Sequence, residues 1–167
     1  GLSREGLGSP DYKKALEQHR NYITALEACG LKVLVLDADE AYPDSTFVED
    51  VAILTPHCAV ITRPAAASRR GETTSMGPVL EAFYPKLERI KAPGSLDGGD
   101  VMQVGQHFFI GLSSRTNRAG ADQLIAILVS HGLTGSVVEV KEFLHLKTGV
   151  TCVAENTLLA AGEHVSR

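Results

Sequence analysis

Three stretches of this 167-residue chain repeat one another about fifty residues apart, and that period constrains the fold more than any other feature. Glu49-Asp50-Val51 leads into Ala52-Ile53-Leu54, a turn at Pro56-His57-Cys58, then Ala59-Val60-Ile61-Thr62. Gly99-Asp100-Val101 leads into Met102-Gln103-Val104, a turn at Gly105-Gln106, then His107-Phe108-Phe109-Ile110-Gly111. Thr148-Gly149-Val150 leads into Thr151-Cys152-Val153, a turn at Glu155-Asn156, then Thr157-Leu158-Leu159-Ala160. Short alternating runs split by such turns read as hairpins. A fixed period means modules stacked in a row or around an axis.

Helix and strand signals fill the spaces between hairpins. Ser9-Pro10-Asp11 predicts a helix start with proline at the first helical position. Leu16, His19, Ile23 and Leu26 recur at helical spacing until Gly30, and Leu31 to Leu36 reads as a buried strand. The same order returns about two periods later, where Leu124, Ile125 and Leu128 precede Gly132 and the strand Val137 to Val140. Between them a helix closing over Val79 to Phe83 precedes the strand Leu87 to Ile90. The unit is hairpin, helix, strand, and its regular alternation predicts one α/β domain. Modules are expected at about 1–40, 41–95, 96–145 and 146–167. The first has no hairpin and the last no helix, so the expectation is a partial ring that lacks modules at both ends.

Composition excludes several classes. Net charge is −4 with acids and bases interspersed, so nucleic acid and acidic membrane surfaces are not expected partners. No apolar run approaches the roughly 20 residues of a membrane span. Cys29, Cys58 and Cys152 are widely spaced with no C-x-x-C, which favours a reducing cytoplasm over disulfides or structural zinc.

The chemistry-bearing residues gather at module corners. Asp44, Glu49 and Asp50 beside Phe47 form an acidic stretch suited to a planar cation such as guanidinium, although an acidic loop is more often merely solvated. Arg69 and Arg115 precede the helices of successive modules and could fork onto a carboxylate, against the commoner reading of surface ion pairing. His145 lies between two leucines at the last corner, where a core residue and a proton-transfer group are equally plausible readings. Gly98 and Gly99 would permit close backbone approach. His57-Cys58 lies in a turn, where neighbouring side chains diverge.

These stretches, with Leu96-Asp97-Gly98-Gly99-Asp100, Ser114-Arg115-Thr116-Asn117 and Leu144-His145-Leu146-Lys147, resemble the dimethylarginine dimethylaminohydrolases. That family belongs to the guanidine-modifying enzymes, built as five-module α/β propellers (penteins). The resemblance implies hydrolysis of Nω-methylated arginine to citrulline and a methylamine through a covalent cysteine adduct. It implies His145 as general acid/base, with Asp97 orienting it. Glu49 and Asp50 would hold the guanidinium, supported by Asp44. Arg69 and Arg115 would bind the substrate carboxylate, Phe47 would line the pocket and Leu2 would belong to a covering loop. No metal or cofactor is implied, although a histidine and thiolate together could bind an inhibitory zinc.

One departure follows. The family's nucleophilic cysteine lies near its C-terminus, and no residue of this chain matches it, so the chain by itself is expected to be inactive. Two alternatives remain: an arginine deiminase or amidinotransferase relative, or a non-catalytic module that captures arginine derivatives. Open module edges are expected to pair with another chain, a homodimer being one such assembly.

Overall fold

The computed structural model describes residues 8–155 and 157–162. Contacts along the chain define two units, Gly1–Pro43 and Asp44–Arg167.

The first unit is built on α1 (Tyr12–Ala28). Asp11 rather than Ser9 caps it, accepting a hydrogen bond from the Lys14 N–H at 3.1 Å. Asp caps at least as well as Ser, and its charge suits the positive helix end. Pro10 therefore stands ahead of the helix. Gly30 ends it with φ +82°, as its sequence position predicts. Residues 31–36 differ from expectation: they form no strand, and Leu31, Leu34, Val35 and Leu36 are 40% to 60% exposed. A strand is held by ladder hydrogen bonds and a covered face. Among the described residues of this unit, no second strand supplies either.

The second unit carries the repeat. Its first module pairs β1 (Ala52–Leu54) antiparallel to β2 (Ala59–Ile61), crosses through α2 (Glu72–Glu81) and returns as β3 (Leu87–Arg89), parallel to β2. The second module repeats this with β4 (Val101–Val104), β5 (His107–Leu112), α3 (Arg118–Ser130) and β6 (Thr134–Glu139). Parallel neighbours need such a helical crossover. Asn117 caps α3 through its side chain, which accepts the Gly120 N–H at 2.8 Å. The third module shows the hairpin β7 (Val150–Ala154) and β8 (Thr157–Ala160), with a bulge between Cys152 and Ala154. Cys152 lies half-buried there.

The core follows the same units. Val60, Leu96, Phe108, Ile110, Leu124 and Leu128 form the largest buried cluster, joining the sheets of the first two modules under α3. Met102, Val140, Leu146 and Val150 join the second module to the third. Full burial of each such side chain contributes about 1.5–3 kcal/mol. Among the described residues no helix is long and apolar enough to cross a membrane.

Candidate active site

Each module enters its hairpin through one helical turn. Two are tight turns at Val48–Asp50 and Gly98–Asp100, and the third is α4 (Leu146–Gly149), with His145 in the capping position. The corners meet, which places Asp50, Asp100 and His145 side by side. Close approach requires the glycine pair. A Cβ on Gly98 would collide with the Glu49 carbonyl. On Gly99 it would stand 2.8 Å from the His145 ring and 3.0 Å from Asp50 Oδ1.

Asp50 is buried and held from two sides. Its Oδ1 accepts the Gly99 N–H at 2.8 Å, and its Oδ2 receives Arg69 Nη1 at 2.7 Å. Arg69 is 4% exposed. Its Nε and Nη2 also donate to Glu72, and Nη2 reaches the Asp44 carbonyl at 3.1 Å. Burial works against the Arg69 charge, but the bonds to Glu72 and Asp50 outweigh it and hold its pKa above the ordinary value.

Asp100 is fully buried in the equivalent place. Its Oδ2 accepts hydroxyls from Thr116 at 2.6 Å and Ser113 at 2.7 Å, and its Oδ1 accepts the Leu146 N–H at 3.0 Å. The same Oδ2 lies 3.5 Å from His145 Nδ1, too far or poorly aligned for a hydrogen bond but close enough for strong attraction. His145 Nε2 lies 4.0 Å from Asp50 Oδ1. Burial opposes the imidazolium, yet the closeness of Asp100, then the charges of Asp50 and Asp97, raise the His145 pKa.

Asp97 is 0% exposed. Its Oδ1 accepts the Ala65 N–H at 3.1 Å, whereas Oδ2 has no hydrogen-bond partner among the described residues. Arg115 Nη1 stands 3.6 Å from that oxygen. Burial first, and secondarily the charge of Asp50, raise the Asp97 pKa, against the Ala65 hydrogen bond and the charges of His145 and Arg115. One ligand atom each from Asp50, Asp97 and His145 lies within 4.8 Å of the others. That triangle suits the N–H groups of a planar cation, and by donor type it could also hold a divalent metal. The local charge favours a cation. Among the described residues, the cations facing Asp50, Glu72, Asp97 and Asp100 are Arg69 and Arg115, which leaves −2 when the carboxylates are ionised and His145 is neutral.

The structure thus brings together Asp50, Asp97, His145, Arg69 and Arg115 from the expected set. Several details change. Asp100, not Asp97, is the carboxylate beside His145 Nδ1. Arg69 cannot offer a free fork, because four of its five N–H groups already meet Asp50, Glu72 and the Asp44 carbonyl. Glu49 turns outward to Lys147 at 2.8 Å, and its side chain is 63% exposed. Phe47 lies against Arg69, 5.9 Å from guanidinium carbon to ring centroid, and is itself mostly exposed. Asp44 is half-buried. Leu2 lies outside the described residues. Asp100 stands at a corner in the sequence but has no role assigned to it from there, and Ser113, Thr116 and Glu72 are not singled out at all. The match of Asp100 to Asp50 one period earlier was the available signal.

Comparison with known proteins identifies the family. The arginine deiminase family profile matches residues 39–166, and the chain belongs to that family. Its similarity is to a particular branch. It is 56% identical to the N(G),N(G)-dimethylarginine dimethylaminohydrolase of Pseudomonas aeruginosa, over all of this chain and 66% of the relative. Identity to the Streptomyces coelicolor enzyme of that name is 39%, over 89% of this chain and 58% of the relative. A crystal structure of the Pseudomonas enzyme, a cysteine-to-serine mutant complexed with citrulline, superposes with a TM-score of 0.98. It is 56% identical, and the match covers all of this chain and 66% of that one. The chain therefore spans about two thirds or less of the length of these relatives. Its fold is the α/β architecture of the penteins, as the module repeat and the family resemblance led us to expect.

Proposed function

We propose that this chain supplies the guanidinium seat and the proton-transfer histidine of a hydrolase that converts Nω-methylated arginines to citrulline and methylamines. The observation that carries the reading is the buried Asp50–Asp97–His145 triangle, in which Asp97 Oδ2 is dry and without a hydrogen-bond partner among the described residues. An unpaired buried acceptor costs about 1–3 kcal/mol. A guanidinium N–H would relieve that cost and correct the local charge. Asp50, fixed by Arg69 and Gly99, would accept a second N–H. Arg115, whose side chain is only 15% exposed, would meet the substrate carboxylate, together with the remaining N–H of Arg69. Asp44 and Phe47 would flank the seat.

The chemistry then runs through one carbon. A cysteine thiolate adds to the guanidinium carbon, giving a neutral tetrahedral adduct. Protonated His145 donates its proton to the methylated nitrogen, the C–N bond breaks, and the amine departs from a thiouronium. Water adds to the same carbon as His145 takes back a proton. The C–S bond breaks, leaving the urea of citrulline and the thiolate; the proton released in this step passes to solvent, where the amine that left earlier takes one up as its ammonium. The negative surroundings of His145 favour the protonated form needed first. The cluster includes none of the three cysteines: Cys58 is buried in the core, Cys152 is half-buried on β7, and Cys29 caps α1. The thiolate that this reading requires is not among the described residues. The reading extends to a reducing, cytoplasmic setting and a homodimer.

The test uses the product of the whole gene. Incubation with asymmetric dimethylarginine should release citrulline. His145→Ala should lower turnover by about 10²–10⁴-fold while leaving binding of the methylated arginine largely intact. Faster turnover of unmethylated arginine would replace this reading with a deiminase. Loss of binding without a chemical defect would remove His145 from the proton-transfer role.

A further inference from the structure

The segment that steadies Asp50 and Asp97 also borders a second hollow of about 210 Å³, lined by Arg63, Arg70 and Arg89 with Thr62 and Thr73. It contains none of the residues assigned to the guanidinium seat. Its eight lining residues include three arginines and no carboxylate. Among the described residues, none of these three guanidinium groups has a carboxylate oxygen within 4.0 Å, whereas Arg69, Arg115 and Arg118 each do. Like charges gathered around one concavity repel unless something answers them. Among the described residues, the hydrogen-bond acceptors of Arg63 and Arg70 are neutral carbonyls.

Those acceptors hold two of the three arginines in place. Arg63 Nη1 donates to the Gly94 carbonyl at 3.0 Å. Arg70 donates to the Pro64 carbonyl at 3.1 Å and the Ala65 carbonyl at 3.4 Å. Arg89 Nη2 lies 3.6 Å from where a Cβ of Gly77 would stand, so the bare face of α2 gives it room. Arg63 follows β2 and Arg89 ends β3, so both lie at the carboxyl ends of a parallel pair. Ligands of α/β sheets collect at such ends.

We propose that this hollow binds a phosphate-type oxyanion, either inorganic phosphate or the head of a phosphate monoester. Three planar forks need more acceptor oxygens than one carboxylate carries, and a phosphate offers three or four around one centre. The wall between the two sites is shared. Thr62 donates its hydroxyl to the Asp50 carbonyl at 2.7 Å, and Ala65 donates to Asp97. An anion that draws Arg70 away from Pro64 and Ala65 would therefore act on the backbone that positions Asp97.

Calorimetric titration with inorganic phosphate, at ionic strength held constant with chloride, tests this. Saturable binding is expected, weakened at least tenfold in the double variant Arg70→Gln/Arg89→Gln. Both side chains are exposed, and circular dichroism would verify that the variant is folded. Arg118→Gln, which alters only a paired surface arginine on α3, should bind as the wild type does. A parallel titration with glycerol phosphate separates the sources: tighter binding than inorganic phosphate assigns the site to a monoester, and equal or weaker binding assigns it to the free ion. Heats that follow ionic strength alone, or a double variant that binds as tightly as wild type, would overturn the proposal.

Discussion

Asp50 and Asp100 occupy the same corner of successive modules, and both are buried, yet they are stabilised by different means. Asp50 is answered by a cation, Arg69, which Glu72 holds in turn. Asp100 is answered by two hydroxyls and a main-chain N–H, and among the described residues the cationic group paired with it is His145. Hydroxyl and amide donors stabilise a carboxylate without cancelling its charge. The field of Asp100 therefore falls on His145, while that of Asp50 is spent largely on Arg69. One repeated backbone turn thus provides a neutralised anchor in one module and a charged partner for the histidine in the next.

The largest break of this comparison should be Arg69→Met. It strands Asp50 and Glu72 in the interior, at a cost of about 3–5 kcal/mol in urea unfolding. A loss under 1 kcal/mol would show that Asp50 does not depend on the arginine. Asp100→Asn keeps the shape and removes the charge, and should cost about 1–3 kcal/mol. Its sharper signature is a fall in the His145 pKa, read by NMR. If that pKa stays where it was, Asp100 is not the source of the raised value.

The pH dependence has a definite sign. A histidine whose pKa is raised by folding contributes stability that is complete below its unfolded pKa of about 6.5. That contribution is lost as pH rises through the folded pKa. Asp97, also raised, works in the same direction from about pH 3.9 upward, because ionising it costs more in the folded state. Unfolding free energies measured from pH 6 to 9 should decline, and more shallowly in Asp100→Asn. Identical slopes would separate the histidine from its carboxylate.

Gly99 and Glu49 sharpen the comparison at smaller scale, since each precedes its module's aspartate. Gly99→Ala should cost about 1–3 kcal/mol through overpacking and displace the His145 ring resonances. Glu49→Gln removes an exposed pair with Lys147 and should change stability by less than about 1 kcal/mol. A large effect would mean that the outward-facing pair supports the corner after all.

Much of this was readable because local pattern and tertiary need coincide. Alternation in His107–Ile110 follows the pleat, and Gly105 takes the φ of +60° that its turn requires. Residues 31–36 carry the same apolar signal without a neighbouring strand, and sequence cannot display a missing partner. Arg69 and Arg115 also look alike in sequence. The difference lies three positions on, where Glu72 captures the first and Arg118 offers the second no acid. Asp97 and Asp100 both fall in one glycine-rich turn. Only the packed corner decides which one faces the imidazole.

The contact of Gly98 with the Glu49 carbonyl has a consequence for how such proteins can vary. The spacing between the carboxylate corners is gauged by main-chain atoms, which every sequence shares, and not by side chains that drift. The exposed face of α3, away from that contact, should therefore vary freely between relatives. A crossover falling between residues 98 and 100 would instead inherit mismatched halves of the gauge, and lineages are expected to recombine around it rather than through it.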